Sequence, residues 1–317
     1  MSRTYPKISI ITPSYGQAQY MEQTIQSVVS QNYPNLEFII IDGCSTDGTT
    51  DIIKKYGKHL KYWVSEPDNG QAHAINKGLK HATGNLVNWL NSDDYLEPGA
   101  LYALAEAWQR YPDSDVFCGF TRCFWDETNK TSHTYRMGLR CNATSTLLNI
   151  QMNQPGTFYK TSVMKELGGV NESLRYVFDD ELWMRYLCSY GQSKVVKLKT
   201  LIANFRQHGN SKSYGEGFTG FYDEQQQILL HLANIISLRN SLLTCLKEEP
   251  IGSNYQPGTW DLKQLNTDQF GGWFENKYMV TLWNQGFKKD AKQGLKKSLR
   301  YGYFNFDRKS ISLLFWK

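Results

Sequence analysis

The first hundred residues alternate between short apolar runs and amphipathic stretches. Residues 7–12 (KISIIT) read as a buried strand running into a Pro-Ser-Tyr-Gly turn. Residues 20–31 then place Met21, Ile25, Val28 and Val29 at helical spacing. Residues 36–41 (LEFIII) form a second apolar strand ending at Asp42, followed by the turn-rich GCSTDGT and a helix over 50–56. A strand over 60–65, a helix over 71–81 and a strand over 86–90 complete the run, which ends at Asn91-Ser92-Asp93-Asp94. Strands alternating with helices at these spacings predict an α/β fold with a mostly parallel sheet and helices on both faces. In such sheets ligands bind at the carboxyl ends of the strands. Thr12-Pro13-Ser14, Asp42 and Asp93-Asp94 all fall there.

Farther along, residues 115–124, 133–136 and 154–160 are strand-like, and helices are predicted over 161–167 and 181–190, the first closed by Gly168-Gly169. The character changes near Gly217. Residues 221–248 carry Ile228, Leu229, Leu232, Ile235, Ile236 and Leu242 along one side of a long amphipathic helix, and 250–272 read as a loop. The expected organisation is a catalytic domain over 1–216 and a helical extension over 217–317.

Composition narrows this picture. A net charge of +5 with 40% apolar residues fits a soluble globular chain, and no nucleic-acid partner is expected. The six cysteines (Cys44, Cys118, Cys123, Cys141, Cys188 and Cys245) show no CxxC or zinc spacing and read as free thiols of a reducing cytosol. The first strand begins too early to leave room for a targeting segment, and no apolar run reaches the roughly 20 residues that span a bilayer.

Three acidic groups and one basic loop carry candidate chemistry. Adjacent carboxylates at Asp93-Asp94 repel unless a cation or donors relieve them, and hard oxygen ligands suit Mg²⁺ or Mn²⁺ on a diphosphate. Asp42 ends a strand where it can accept from a base or ribose, whereas Asp47 reads as a helix cap. Asp179-Asp180-Glu181 stand at a helix start, either stabilised by the helix dipole or acting as a general base. The loop Arg206-Gln207-His208-Gly209-Asn210-Ser211-Lys212 can face a metal diphosphate.

These blocks, in this order over residues 6–215, resemble the family 2 glycosyltransferases of the Rossmann-like GT-A fold. The segments are ISIITPSYGQAQYMEQTIQSVVSQNYPNLEFIIIDGCSTDGTTDII, EPDNGQAHAINKGLKHATGNLVNWLNSDDYLEPGAL, GTFYKTSVMKELGGVNESLRYVFDDELWMRYL and RQHGNSKS. The resemblance implies an inverting, metal-dependent transfer from a nucleotide-sugar donor, a UDP-sugar, to a glycan or lipid-linked glycan. Thr12, Pro13 and Tyr15 would line the nucleobase pocket, with Asp42 on the base or ribose. Asp68, Gln71, Asn76 and Lys77 would flank the donor. Asp94 would ligate Mn²⁺ or Mg²⁺, completed by His208, with Asp93 on the ribose or donor sugar and Arg206 and Lys212 near the diphosphate. Asp179 takes the position of the catalytic base, with Glu181 as second candidate.

Two other readings compete. A nucleotidyltransferase would want a Gly-rich, basic loop after the first strand, and Thr12 to Gly16 holds no Lys or Arg. A non-catalytic binding relative would not need the Asp42, Asp93, Asp94 and Asp179 set. In residues 286–317, nine Lys and Arg stand against two Asp, interleaved with aromatics such as Phe304, Phe306, Phe315 and Trp316. That pattern suits peripheral docking on the cytosolic face of an anionic membrane, or a charged helical cap on the domain.

Overall fold

The structure is a computed structural model that describes residues 5–209, 211–212, 219–238, 255–277, 286 and 288–301. Its first half follows the hydrophobic pattern closely. The strands β1 (Ile8–Ser14), β2 (Leu36–Asp42), β3 (Tyr62–Ser65) and β4 (Leu86–Trp89) alternate with the helices α1 (Ala18–Val29), α2 (Thr49–Lys55) and α3 (Gln71–His81). After a two-residue β5 (Tyr95–Leu96) come α4 (Ala100–Arg110), β6 (Val116–Trp125), β7 (Thr131–Tyr135), α5 (Ala143–Leu148) and β8 (Thr157–Lys160). The helices α6 (Thr161–Glu166) and α7 (Phe178–Tyr190) precede β9 (Val195–Gln207), and α8 (Thr219–Ile235), α9 (Thr267–Lys277) and α10 (Lys288–Tyr301) follow.

The strands form one sheet of nine in the order β3-β2-β1-β4-β8-β6-β9-β5, with β7 on β6. Pairing is parallel through β3-β2-β1-β4 and again between β6 and β9, while β8 inserts antiparallel between β4 and β6. In β2, Phe38 and Ile40 enter one apolar cluster with Met21 and Ile25 of α1, and Ile39 and Ile41 enter the other with Ile75 of α3 and Leu182 of α7. A strand buried on both faces therefore reads as an unbroken apolar run, which is what LEFIII shows. Register aligns Ser14 with Asp42 and Asp42 with Ser65, so the polar residues after β1, β2 and β4 share one rim.

Four stretches depart from the pattern. Residues 154–160 are a strand only from Thr157, because Gln154–Gly156 form a 3-10 turn held by Gln154 Nε2 donating to Asn88 Oδ1 (3.0 Å) and the Trp89 carbonyl (2.7 Å). The helix predicted to 248 ends at Ile235. Ser237 adopts φ 53°, and Leu238 N donates back to the Ala233 carbonyl at 3.0 Å, a left-handed C-terminal cap. Residues 239–250, with Leu242, lie outside the described residues. The supposed loop 250–272 contains the start of α9, where Asn266 Oδ1 caps Gln269 N at 2.9 Å. Gly271-Gly272 argues against a helix there, but burying Phe270 and Phe274, four residues apart, outweighs that propensity cost. The thirteen-residue β9 has no clean alternation of its own and is fixed by pairing along β6.

The expected domain boundary at 216/217 falls outside the described residues. Ile228, Leu232, Phe270, Phe274, Ala291 and Leu295 of the C-terminal helices share a core cluster with α3 and α7. Among the described residues, Cys44, Cys118, Cys123, Cys141 and Cys188 are free thiols, and no helix is long and apolar enough to cross a membrane.

Candidate active site

The rim begins at the end of β1. Thr12 and Ser14 are buried, with hydroxyls that have no protein partner, and Tyr15 emerges 74% exposed. Gly43 explains how Tyr15 and Asp68 come together. A Cβ there would stand 2.9 Å from Asp68 Oδ2 and 3.3 Å from the Tyr15 ring, so the bare backbone admits both. Asp68 Oδ1 accepts from Gly70 N at 2.8 Å, fixing the turn into α3, where Gly70 needs φ 103°. Asp42 is fully buried and accepts from Ser45 N (2.9 Å), Ser45 Oγ (2.5 Å) and Ser65 Oγ (2.6 Å). In this conformation its carboxylate braces the turn instead of facing the rim.

The amides at the start of α1 are already used. Gly16 N donates to Ser45 Oγ at 2.8 Å, Gln17 N to Thr49 Oγ1 at 3.0 Å and Ala18 N to Asp47 Oδ2 at 2.9 Å. The other oxygen of Asp47 accepts from Thr49 N at 3.1 Å, so it caps two helix starts at once. A phosphate cradle at α1, as the nucleotidyltransferase reading requires, is thereby closed off.

The Asn91–Asp94 turn is strapped to α1 by Thr24 Oγ1, which donates to the carbonyls of Ser92 (2.9 Å) and Asp94 (2.7 Å). Its two carboxylates then part. Asp94 points inward with no exposure. Its Oδ1 accepts from Arg206 N (2.9 Å) and its Oδ2 from Asn91 Nδ2 (3.2 Å), while burial and the neighbouring Asp93 hold its carboxyl well above the usual range. Asp93 is partly exposed, and its Oδ2 lies 3.1 Å from His208 Nε2. The imidazole is tilted against Tyr20 at 4.9 Å, and its backbone is locked by reciprocal bonds with Ser211 of 3.0 and 2.9 Å. Of the pair, Asp93 is thus the partly exposed carboxylate beside His208, while Asp94, expected as the metal ligand, is turned inward onto Arg206 N and Asn91.

Arg206, expected near the diphosphate, is also turned inward. Its guanidinium is buried, pairs with Asp126, reaches Gln23 and donates from Nε to the Asp93 carbonyl at 2.8 Å. It stacks over Tyr20 at 4.6 Å, and Tyr20 in turn donates to Asp126 Oδ2 at 3.0 Å. Asp126, Tyr20 and Gln23 had no local sequence signal, because only the folded β6–β7 hairpin brings Asp126 to α1.

A polar chain joins this turn to the third acidic group. Gln71 Nε2 donates to Asn91 Oδ1 at 2.7 Å, and Lys212 Nζ donates to Gln71 Oε1 at 2.9 Å. Lys212 also acts electrostatically on Asp179, at the first turn of α7. Burial raises the Asp179 carboxyl to about 6, against the lowering effect of backbone bonds and Lys212. Burial and Asp179 itself push Asp180 higher still, despite Gln225. Burial and their mutual repulsion thus hold both carboxyls above the usual range. Glu181 is elsewhere. It is fully buried, with Arg185 Nε at 2.8 Å and Nη2 at 2.7 Å, and Asn171 and Tyr255 complete its shell. Asn76 and Lys77 also stand aside. Asn76 bonds Val170 and Glu172, and Lys77 pairs with Glu66 at 2.5 Å.

Asp93 Oδ2 and His208 Nε2, 3.1 Å apart, are an oxygen and a nitrogen donor of the kinds that a divalent ion takes. No group of three or more His, Cys, Asp and Glu able to hold a metal occurs among the described residues.

The family model for glycosyl transferase family 2 matches residues 9–168. The putative teichuronic acid biosynthesis glycosyltransferase TuaG of Bacillus subtilis is 38% identical over 133 residues, covering 40% of this chain and 52% of its own length. The poly(ribitol-phosphate) β-N-acetylglucosaminyltransferase TarS of Staphylococcus aureus is 35% identical over 100 residues, covering 30% of this chain and 18% of its own. The chain matches about half to three fifths of the length of the first curated relatives. Among solved structures, residues 1–349 of TarS with UDP-GlcNAc superpose with a TM-score of 0.60 at 19% identity, over 93% of this chain and 80% of that one. The mannosyltransferase PcManGT of Pyrobaculum calidifontis, with GDP-Man and Mn²⁺, gives 0.51 at 16% identity, over 98% and 79%. The fold is the GT-A fold of these structures.

Proposed function

The chain belongs to glycosyl transferase family 2, and on that premise we propose that it moves a sugar from a UDP-sugar to a hydroxyl of a glycan or lipid-linked glycan, with inversion and with a divalent metal. The observation that carries this reading is the meeting of Asp93 and His208 across 115 residues of chain, beside the nucleotide-facing rim of β1 and β2. Asp93 Oδ2 and His208 Nε2 would hold Mn²⁺ or Mg²⁺, with Arg206 and Asp94 fixing them from behind. The ion supplies charge neutralisation for the departing nucleoside diphosphate. Tyr15 offers an exposed aromatic face to the nucleobase, above the buried Thr12. Gln71 and Lys212 stand between metal turn and base, where Lys212 offers positive charge to the donor.

In this reading Asp179 accepts the proton of the acceptor hydroxyl as its oxygen attacks the anomeric carbon. The bond from that carbon to the diphosphate breaks, and the electron pair leaves on the diphosphate. One displacement inverts the anomeric centre. A carboxyl raised to about 6 is ionised at neutral pH yet basic enough to help. The relatives named for teichuronic acid and poly(ribitol-phosphate) support an acidic or phosphate-bearing polymer as acceptor. A net charge of +5 is compatible with one.

Membrane docking keeps only its electrostatic part over the described residues. Helix α10 buries Ala291 and Leu295 in the cluster that holds Phe270 and Phe274, leaving Lys288, Lys289 and Lys296 exposed. The aromatic end of the tail, with Phe304, Phe306, Phe315 and Trp316, lies outside the described residues.

The test is a screen of UDP-, GDP- and other nucleotide-sugars for release of the nucleoside diphosphate, with and without Mn²⁺. Mn²⁺-dependent release from a UDP-sugar is expected. Release from none of them would remove the transferase reading.

A further inference from the structure

Helix α8 carries a carboxylate where an amphipathic helix should be apolar. Glu224 is only 5% exposed, and burying an unpaired charge costs several kcal/mol. Its partners are three consecutive backbone amides. Oε1 accepts from Arg175 N at 2.7 Å, and Oε2 accepts from Tyr176 N at 2.8 Å and Val177 N at 3.0 Å. These amides lead directly into Phe178-Asp179-Asp180. Helix α7 has Val177 at its N-cap position and no side-chain cap there. Glu224 therefore ties down, from a helix nearly fifty residues later, the three amides that lead into the first turn of α7.

The rest of α8 grips the same turn. The Phe221 ring packs on Tyr176 at 5.0 Å, and Gly220 lies so close to that ring that a Cβ would run into it. Gln225 Nε2 reaches Asp180 Oδ2 at 3.5 Å. From the other side, Lys212 Nζ donates to the Arg175 carbonyl at 3.2 Å. The charged and titratable groups acting on Asp179 and its partner are thus Asp180, Lys212, Glu224 and the Tyr159 phenol.

We propose that Glu224 is a positioning residue for Asp179, which makes the C-terminal extension a working part of the catalytic site. The inference rests on Asp179 being the base. Both residues lie beyond the 9–168 stretch that the family model covers. A carboxylate can accept from all three amides, whereas a glutamine in its place turns an NH₂ toward at least one of them. The turn before α7 then loses a tie, and Asp179 loses a neighbouring negative charge that raises its carboxyl.

The experiment uses the full chain and the substitutions Glu224→Gln and Glu224→Asp, with two readouts that need no substrate. Hydrogen exchange is followed in the peptide covering 175–181. The Asp179 carboxyl is titrated by ¹³C NMR, its resonance assigned by loss in Asp179→Asn. In Glu224→Gln, exchange at 175–177 should rise about tenfold, what losing one hydrogen bond of about 1.4 kcal/mol would release, and the Asp179 midpoint should fall. With an active donor from the screen, kcat should drop about tenfold or more with donor KM unchanged, since misplacing a catalytic group by 1 Å can cost about 10²-fold. Glu224→Asp should keep the midpoint near that of the wild type while raising exchange, and it carries the test if Glu224→Gln does not fold. Unchanged exchange would overturn the proposal. In Glu224→Gln, lower stability with an unmoved Asp179 midpoint would do the same, the mark of a purely architectural carboxylate. If no nucleotide-sugar is turned over, the transferase reading falls, while exchange and titration still decide whether Glu224 sets Asp179.

Discussion

Replacing Glu181 by glutamine separates the two carboxylates that compete for the role of base. Glu181 has no exposure, and Arg185, 7% exposed, presents two nitrogens to one of its oxygens at 2.7 and 2.8 Å. Glutamine keeps the volume but removes the anion and turns an NH₂ toward guanidinium donors. Breaking a buried pair from one side costs about 3–5 kcal/mol. The carbonyls of Leu167 and Gly169 still hold Arg185, which puts the expected loss near the lower end. For a chain of 317 residues, about 3 kcal/mol lowers Tm by roughly 4–5 °C. Asp179→Asn should act with the opposite sign. The folded Asp179 carboxyl is raised to about 6, so its ionisation weakens the fold as pH climbs from the ordinary carboxylate range through 6. Removing that charge should leave Tm at pH 7.5 equal or higher. Thermal unfolding by circular dichroism, with turnover per folded molecule at 20 °C below the lower Tm, gives both numbers. Glu181→Gln should melt early yet retain most of its turnover. Asp179→Asn should stay folded and lose about 10²–10⁴-fold in transfer. Wild-type transfer should fall as pH drops below about 6, where Asp179 becomes protonated. An active Asp179→Asn beside an inactive, fully stable Glu181→Gln would refute the reasoning and make Glu181 the base.

Asp93→Asn should weaken Mn²⁺ binding in the presence of UDP by about 10–100-fold or more, since even partners behind metal ligands reach that range. Asp94→Asn should mainly disturb the Asn91–Arg206 scaffold, so calorimetry in which Asp94→Asn loses the metal and Asp93→Asn keeps it would restore the opposite assignment. Replacing Lys288, Lys289, Lys292 and Lys296 together by glutamine should abolish salt-sensitive sedimentation with phosphatidylserine vesicles, each lysine being worth about 1 kcal/mol near an anionic leaflet. Wild-type protein that stays in the supernatant at low salt would leave α10 a structural cap alone.

How much of the site was legible follows from how local each signal is. Strand β2 is a run of apolar residues that only a doubly covered strand can use, and Asp42 at its end could be placed without a partner in view. The pair Asp93-Asp94 announced a site but not its orientation, because two adjacent side chains after a strand leave on opposite sides. Which one faces the rim depends on where Arg206 N arrives, and β9 delivers that amide from 112 residues away. Glu181 looked like a base because three acids at a helix start look alike. One helical register decides that it meets Arg185, four residues on, instead of the rim.

The sequence by itself determined the alternating α/β order, the rim of polar strand ends and the family, because these rest on hydrophobic period and on motifs contiguous in the chain. The roles within those motifs were decided only by the tertiary structure. A carboxylate becomes a ligand, a brace or a base according to the donors and burial that distant segments bring to it. His208 at Asp93, Arg185 at Glu181 and Glu224 beneath Asp179's turn are contacts of that kind, and no local pattern encodes them.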